Sequence, residues 1–223
     1  EVPGRWQYYG VSLPFWRSYD KEDPRREFFY YDYTGDAKRD DQSDYGFHYM
    51  VPEEGVTVVP NDTTKYMQNV ATMKYTYDMI SDAYYDGRTI CIFRLSDVIL
   101  CKAEIENNLN GPAAALPYLN QIRARAGAPE YGKHNRFPAP STKETMNDAI
   151  LKERGYELVF EFQRRADLIR FGKYEEVVNA HLKKLGIAQP TNVTSSLRYF
   201  PYPLNDAQLN PNLAAENPSR LPK

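Results

Sequence analysis

The segment 151–172, LKERGYELVFEFQRRADLIRFG, carries a dense group of ionisable side chains. Carboxylates and guanidinium groups among apolar residues suit three uses: acid–base catalysis, a charged binding surface, or an ion-pair network inside the fold. The charged members are Glu153, Arg154, Glu157, Glu161, Arg164, Arg165, Asp167 and Arg170.

Catalysis requires a particular placement of these carboxylates. Glu153, Glu157 and Glu161 follow at intervals of four residues, which on a helix places neighbours about 5–6 Å apart at Cβ. That separation suits the carboxylate pair of a glycosidase, which spans roughly 5–10 Å. Carboxylates on one helix face nevertheless point the same way and cannot flank a bond from opposite sides. Neighbouring arginines should also lower their pKa values, the wrong direction for a general acid.

Apolar residues on both flanks favour a partly buried ion-pair stripe over a solvated charged face. Arg154 and Arg164 lie three residues from a glutamate and Arg165 lies four, so we expect helical neighbours to neutralise the carboxylates. Such networks fix helix packing more reliably than they add stability. The predicted ion-pair stripe consists of Glu153, Arg154, Glu157, Glu161, Arg164, Asp167 and Arg170.

The rest of the sequence lacks recognised catalytic or metal-binding patterns. His48, His134 and His181 do not have the spacing of metal ligands, and neither a nucleophile elbow nor a glycine-rich phosphate loop is present. Cys91 and Cys101 form neither a disulfide framework nor a zinc site. We therefore expect no cofactor and no metal.

Size and charge restrict the classes of protein to which this chain can belong. The 223 residues carry a formal charge of −2, with a pI of about 6.0 and a mean hydropathy of −0.68. This balance gives no basic footprint for nucleic acid. No apolar run approaches the roughly 20 residues of a membrane-spanning helix. The sequence starts at Glu1 without a starting Met or a signal peptide, so we expect a fragment of a longer mature protein.

A pair of helices is predicted over residues 93–127. Pro112 suits the first turn of the second helix, and Gly127 suits the cap after its last turn. The short break between the helices predicts an antiparallel hairpin. A helically spaced stripe predicts the packed face of the first helix: Leu95, Val98, Ile99, Lys102 and Ile105.

A second helical region follows. Ser141 and Glu144 form a capping-box pattern, which predicts one long helix over 141–172. Another helix is predicted over 174–185. The proline-rich tail, 189–223, is expected to be extended.

These elements divide the chain into three parts. Residues 1–90 are interrupted by Gly, Pro, Asn and Asp every few residues and are expected to form a loop-rich, aromatic-rich part with short strands, such as REFFYYDY. Residues 91–188 are expected to form a helical core, and 189–223 a tail packed on it. The predicted fold class is mostly α, with helix hairpins and long irregular loops.

Four blocks of this sequence resemble the C-terminal part of the SusD/RagB family. They are FRLSDVILCKAEIENN, LNQIRARAG, ILKERGYELVFEFQRRADLIRFG and FPYPLNDAQLNPNLAAENP, in the family's order and spacing. Matching residues include Arg94, Asp97, Asn120, Arg123, Arg125, Glu153, Arg154, Glu157, Glu161, Arg164, Asp167 and Arg170. Gly155, Phe162 and Arg165 depart from the pattern, since the family usually has an Arg, a Gly and an aromatic residue there.

The resemblance implies an α/α-superhelical (TPR-like) SusD-type fold in a protein about twice as long. It implies a non-enzymatic lipoprotein on the outer-membrane surface that captures oligosaccharides for a SusC-like TonB-dependent transporter. The N-terminal half of the same protein, with its lipid anchor, would then be a partner of this chain. A peptide-binding member of the family is the alternative, and a glycoside hydrolase is the less favoured one.

Ligands of this family are held by aromatic residues on loops, which points to residues 1–90. The sequence holds 19 Tyr, 10 Phe and 2 Trp, and such rings combine a flat apolar face with polar groups. Packing against the missing half is the alternative use of the loop aromatics. The predicted ligand platform consists of Trp6, Tyr8, Tyr9, Trp16, Arg17, Tyr45 and Tyr49.

Overall fold

A computed structural model describes residues 11–30, 32–33, 49–50, 69–72, 74, 91–184, 193–194, 198, 200, 202–210 and 212. Contacts divide the chain into two compact units, Glu1–Arg164 and Arg165–Lys223. Helices predominate among the described elements, as the sequence predicts. None of the described helices is long and apolar enough to cross a membrane. The three-part division stays a prediction.

Short strands and helices form the beginning of the first unit. β1 (Val11–Ser12) and β2 (Phe29–Tyr30) each pair antiparallel with β5 (Asn69–Thr72). β3 (Asp32–Tyr33) pairs antiparallel with β4 (Tyr49–Met50), and both β2 and β3 lie in the segment REFFYYDY. Between β1 and β2 the structure contains α1 (Leu13–Arg17) and a 3₁₀ helix (Pro24–Phe28).

The helical core of the first unit contains three helices. α2 (Leu95–Asn110) and α3 (Pro112–Ala126) form the predicted hairpin, and α4 (Lys143–Glu157) packs on both. The predicted start of α3 at Pro112 is confirmed. The predicted cap is confirmed too, because Gly127 has a φ of 72°, which favours glycine. The core residues of these helices include Leu100, Ala103, Ala115, Leu119, Ile122, Met146 and Ile150.

The packed face of α2 differs from the predicted one. Leu100 and Ala103 are fully buried, and the same face buries Ser96, Asp97 and Asn107. These polar side chains make hydrogen bonds or ion pairs within the protein. The buried face of α2 therefore contains polar residues and cannot be recognised in the sequence as a continuous apolar stripe. More than half of each of three predicted inner side chains is exposed, namely those of Leu95, Val98 and Ile105.

The long helix predicted over 141–172 is interrupted. α4 ends at Glu157, and α5 (Arg164–Arg170) begins after a turn. Within that turn Phe160 and Phe162 have φ values of 59° and 62°. This left-handed backbone cannot continue a right-handed helix, so the single-helix prediction is wrong.

The cap of α4 lies one residue after the predicted one. The Thr142 hydroxyl accepts a hydrogen bond from the Thr145 amide at 3.1 Å. The Thr145 hydroxyl in turn accepts one from the Thr142 amide at 3.0 Å. The capping box is therefore built from two threonines and not from Ser141 and Glu144.

The second unit contains most of α5, together with α6 (Tyr174–Lys184) and α7 (Leu204–Leu209). α6 agrees with the helix predicted over 174–185. The prediction of an extended tail is wrong for α7, which begins directly after Pro203. Within this unit Asp167 pairs with Arg170 at 3.1 Å.

Candidate functional site

Glu153 joins three segments of the first unit. Its carboxylate is 1% exposed and accepts hydrogen bonds from Arg25 and Arg123, each at 2.7 Å. Arg25 belongs to the 3₁₀ helix, and Arg123 belongs to α3. The Arg25 guanidinium also forms a two-bond pair with Asp23, at 2.8 and 3.0 Å. The charges are thus neutralised within a buried network.

Glu157 is the second buried junction. Its Oε1 accepts from Arg94 at 2.6 Å and from Arg125 at 2.5 Å, and its Oε2 accepts from Arg25 at 3.1 Å. Burial raises the pKa of Glu157, but the hydrogen bond from Arg94 and the charges of Arg94, Arg125 and Arg25 outweigh it. The net pKa is lowered. A carboxylate held ionised in this way is a poor general acid.

Glu161 and Arg154 complete the network with partners from other segments. Glu161 accepts from Arg94 Nε at 2.8 Å and also pairs with Lys74. Arg154 pairs with Asp97 of α2 at 2.7 Å. The prediction that helical neighbours neutralise the glutamates is therefore wrong.

For Arg164 and Arg165 the end of α4 at Glu157 explains this difference, because it removes their helical spacing to Glu161. Arg154 keeps its helical spacing to Glu157 within α4 and pairs with Asp97 of α2 instead. Arg164 instead donates a hydrogen bond to the carbonyl oxygen of Leu151 at 2.7 Å. Its guanidinium occupies the space beside Gly155, where an added Cβ would lie 2.9 Å from Nη1. Any larger residue at position 155 would displace this arginine.

Two buried tyrosines connect the loop after α1 to α4. The rings of Tyr19 and Tyr156 stack with centroids 4.1 Å apart. The Tyr19 hydroxyl donates to the Tyr156 carbonyl oxygen at 3.0 Å, and the Tyr156 hydroxyl donates to that of Ser18. Burial raises the pKa of both tyrosines, so both hydroxyls stay protonated. The same cluster contains Val11, Trp16 and Phe29.

A pocket of about 620 Å³ opens beside the tyrosine pair. We call it the Lys152 pocket. Phe137 is its half-buried aromatic residue. The buried part of its wall is formed by Trp16, Tyr19, Arg123 and Tyr156, and its charged rim by Arg17, Asp20, Lys21, Arg26, Arg136 and Lys152.

The loop that carries Phe137 is fixed by α3. The Asn120 side chain donates to the Tyr131 carbonyl oxygen and accepts from the Tyr131 amide, each at 2.9 Å. Arg123 donates to the Pro129 carbonyl oxygen at 2.5 Å, and its guanidinium lies 4.7 Å from the centroid of the Phe137 ring. Asn120 and Arg123 therefore position one wall of the pocket.

Lys152 lies on α4 at the rim of this pocket. Its Nζ is 5.7 Å from the centroid of the Tyr156 ring. Burial lowers the pKa of Lys152, and the charge of Arg123 lowers it further, against smaller opposite contributions from Glu153 and Asp20. The Lys152 side chain is exposed at the rim, and its ammonium group lies near the positive charge of Arg123.

A second pocket of about 480 Å³ borders the ion-pair network. Arg94, Arg125 and Glu157 line it, and these groups already bond to one another. It therefore offers a ligand fewer uncommitted polar groups than the Lys152 pocket does. Among the described residues, no group of three or more His, Cys, Asp or Glu side chains is placed to hold a metal ion.

Two residues of the predicted ligand platform line the Lys152 pocket together. Trp16 and Arg17 lie in α1, not in a loop, so their predicted setting is wrong. Trp16 is 4% exposed, and the Arg26 guanidinium covers its ring at 4.1 Å, so little of the ring is open to a ligand. Tyr49 lies in β4. Trp6, Tyr8, Tyr9 and Tyr45 lie outside the described residues, and the platform stays a prediction.

Sequence reasoning missed the pocket residues Tyr19, Arg136, Phe137 and Lys152. Lys152 occurs in the charged segment but has no distinguishing spacing. Asp23 and Arg25, which hold the loop before the 3₁₀ helix, carry a local signal, because an Asp-Pro pair favours a turn. The meeting of that loop with α4 depends on contacts across more than 130 residues, and no local sequence pattern marks such contacts.

The chain is similar to known proteins of one family. The model of the SusD family matches residues 9–219. SusD-like protein P25 of Formosa agariphila is 39% identical over 120 residues, which are 54% of this chain and 22% of that protein. Starch-binding protein SusD of Bacteroides thetaiotaomicron is 28% identical over 137 residues, which are 60% of this chain and 22% of that protein. The chain thus matches less than a quarter of the length of either relative.

Solved structures share the fold. A SusD superfamily protein from Bacteroides vulgatus superposes with a TM-score of 0.56 at 25% identity, covering 88% of this chain and 40% of that one. A SusD homologue from Bacteroides thetaiotaomicron gives a TM-score of 0.52 at 25% identity, covering 84% of this chain and 39% of that one. The predicted SusD-type fold is confirmed.

Proposed function

This chain belongs to the SusD family, and on that basis we propose that it binds saccharides as a non-enzymatic nutrient-binding protein at the cell surface. The family match carries the proposal, because one relative of the chain is named as a starch-binding protein. A peptide-binding role is the alternative.

The Lys152 pocket supports this function. Its volume of about 620 Å³ lies within the usual range of small-molecule sites, roughly 300–1,000 Å³. It combines the half-buried Phe137 ring with hydrogen-bonding side chains at the rim. An aromatic face beside such groups suits a sugar ring, which has apolar C–H faces and polar edges.

The state of the carboxylates favours binding over hydrolysis. A glycosidase needs one carboxyl group that can donate a proton and a second that attacks or activates water. Glu153, Glu157 and Glu161 are each held by at least two cationic side chains. The lowered pKa of Glu157 is unsuited to the acid role.

We further propose that the whole protein is an outer-membrane lipoprotein that passes its ligand to a SusC-like TonB-dependent transporter. The support is family membership alone. Cross-linking and affinity purification from native outer membranes test it. Recovery of such a transporter is expected, and consistent purification without one contradicts this part of the proposal.

Titration calorimetry of the chain against neutral and charged oligosaccharides, with peptides as a second panel, tests the binding function. We expect Phe137→Ala to make the binding free energy of the saccharide less favourable by about 1–3 kcal/mol, by analogy with the stacking of other flat ligands on aromatic rings. Phe162→Ala is the matched control, because it removes an 86% exposed ring that is not among the pocket residues. Binding to peptides alone, or release of shortened sugars, would reject the proposal.

A further inference from the structure

The rim of the Lys152 pocket carries more positive than negative charge. Two carboxylates line the pocket, and both are already engaged: Asp23 binds Arg25 at 2.8 Å, and Asp20 binds Arg136 at 3.1 Å. Glu22 beside them also binds Arg136, at 2.6 Å. The cationic side chains of the rim are Arg17, Lys21, Arg26, Arg136 and Lys152.

Three of these cations have no acidic group at ion-pair distance within the part of the chain that the structure describes, namely Lys21, Arg26 and Lys152. The Nζ atom of Lys152 lies 5.7 Å from the centroid of the Tyr156 ring. Lys152 is exposed at the pocket rim, and its pKa is lowered by partial burial and by the charge of Arg123. An incoming anion would stabilise the charge of Lys152.

The hydrogen-bonding character of the rim points to the same ligand. Lysine and arginine side chains only donate hydrogen bonds, so the ligand must supply acceptors. A neutral sugar hydroxyl both donates and accepts, and the two carboxylates that could accept from it, Asp20 and Asp23, already pair with arginines. Carboxylates and sulfate esters accept several bonds without donating any, and their bonds to cations are the strong ones.

We propose that the Lys152 pocket selects anionic saccharides, whose carboxylate or sulfate ester accepts hydrogen bonds from Lys152. Lys21 and Arg26 provide the surrounding positive field, and Phe137 provides the apolar face for the sugar ring. This inference rests on the proposed saccharide-binding function and specifies its ligand class.

Calorimetry of the chain with trigalacturonate and with its carboxyl-reduced, neutral counterpart tests the selection. We expect trigalacturonate to bind at least about tenfold more tightly, the usual scale of one added hydrogen bond to a charged group. Lys152→Gln should remove about tenfold of that affinity and leave binding of the neutral trisaccharide within about twofold. Lys152→Arg keeps the charge and the donors, so it should retain the preference.

Lys102→Gln is the matched control. Lys102 is also an exposed lysine on a helix, its Nζ lies 4.8 Å from the centroid of the Tyr118 ring, and it is not among the pocket residues. We expect unchanged binding of trigalacturonate. An equal loss in Lys102→Gln and Lys152→Gln would overturn the inference, because it would show a general effect of net charge.

The remaining comparisons distinguish a carboxylate from a sulfate ester as the charged group of the ligand. They also distinguish the proposed saccharide binding from the proposed preference for anionic saccharides. Tighter binding of a sulfated oligosaccharide than of trigalacturonate supports the sulfate form of the inference. Full displacement of the saccharide by inorganic sulfate at the same molar concentration overturns it, because the pocket would then bind an anion without any contribution from the sugar. Equal binding of neutral and anionic trisaccharides overturns the inference and leaves the proposed function standing. Failure of every saccharide to bind removes both.

Discussion

Glu153 and Glu157 each hold guanidinium groups that come from other parts of the first unit. Burying a charge costs several kcal/mol unless its partners and hydrogen bonds are well placed, and these carboxylates are at most 3% exposed. Arg25 contributes to both of them, which links the 3₁₀ helix to α4 at two adjacent helical turns. At the residue scale, the network fixes where segments meet.

Glu157→Ala should lower the free energy of unfolding by about 3 kcal/mol, because it removes one carboxylate from the buried Arg25 and from the half-buried Arg94. Arg25 keeps Asp23 and Glu153, and Arg94 keeps Glu161, so the loss should lie at the lower end for a buried pair. Arg154→Ala should do the same by leaving Asp97 unpaired. Chemical denaturation of the purified variants measures both losses.

The matched control for these substitutions is Glu176→Ala. Glu176 pairs with Lys173 at 3.2 Å, but its side chain is 70% exposed. An exposed pair contributes about 0–1 kcal/mol, so we expect a change within that range. Wild-type stability of Glu157→Ala would show that water, and not the network, satisfies these arginines.

The lowered pKa of Glu157 also predicts acid sensitivity. Its pKa in the folded chain lies below the ordinary value of 4.5, so the folded chain holds this group ionised more firmly than the unfolded chain does. The resulting stability is present above pH about 4.5 and is lost as pH falls through the folded pKa. Thermal melts between pH 7 and pH about 3 should therefore show a steeper loss for wild type than for Glu157→Gln. Parallel curves would contradict this assignment.

The charged residues could be identified from the sequence, but their partners could not. Arg25 and Glu153 are separated by 128 positions, and no local pattern connects them. Helical spacing suggested Arg164 and Arg165 as partners because the end of α4 was not foreseen. It suggested Arg154 because the pairing of Arg154 with Asp97 of α2 is a contact between helices, which local spacing does not show. Lys152 gave no signal, since its position in the pocket depends on how the loop at Tyr19 packs on α4.

At the scale of elements, the turn between α4 and α5 is fixed by its backbone. Phe162 has a φ of 62° and is 86% exposed, so its ring contributes little packing. The SusD family usually has a glycine here, which adopts this conformation without strain. Phe gives no local signal for such a turn, whereas Pro112 and Gly127 mark the ends of α3 directly.

Phe162→Gly should leave the free energy of unfolding equal or raise it by up to about 1.5 kcal/mol. A left-handed backbone costs a residue with a side chain about 1–2 kcal/mol, and glycine gives back about 0.5–1 kcal/mol in unfolded-chain entropy. Phe160→Gly relieves the same backbone strain but removes a ring that packs against the aromatic cluster. We expect Phe160→Gly to lower the free energy of unfolding by about 1–3 kcal/mol. Denaturation of both variants checks the pair, and a large loss in Phe162→Gly would show that its ring is packed.

The two faces of α2 give a second test at this scale. Leu100→Ala should cost about 2–5 kcal/mol, because the side chain is fully buried. Val98→Ala should change stability by at most about 0.5 kcal/mol, because Val98 is 60% exposed. Thermal melts of the two variants distinguish the faces. Comparable losses of stability in the two variants would show that Val98 is packed, as the apolar stripe in the sequence predicts.

At the scale of the whole molecule, the charges of the first unit separate into two sets. In the inner set the carboxylates of Glu153 and Glu157 are buried, and each pairs with at least two arginines. The outer set, at the rim of the Lys152 pocket, is predominantly cationic although the chain as a whole carries −2. The net charge of a sequence therefore does not describe the field that a ligand meets at one site.

Salt should affect these two sets differently. Screening acts on charges in contact with solvent and much less on buried pairs, and the screening length falls from about 10 Å at 0.1 M salt to about 3 Å at 1 M. Raising NaCl from about 0.05 to about 0.5 M should therefore change the free energy of unfolding by less than about 1 kcal/mol. Over the same range trigalacturonate should bind at least about threefold more weakly, while its neutral counterpart should not weaken. Denaturation and calorimetry on one preparation measure both responses. If stability falls steeply while trigalacturonate binding stays constant, the buried network is open to solvent and the rim of the pocket does not bind by charge.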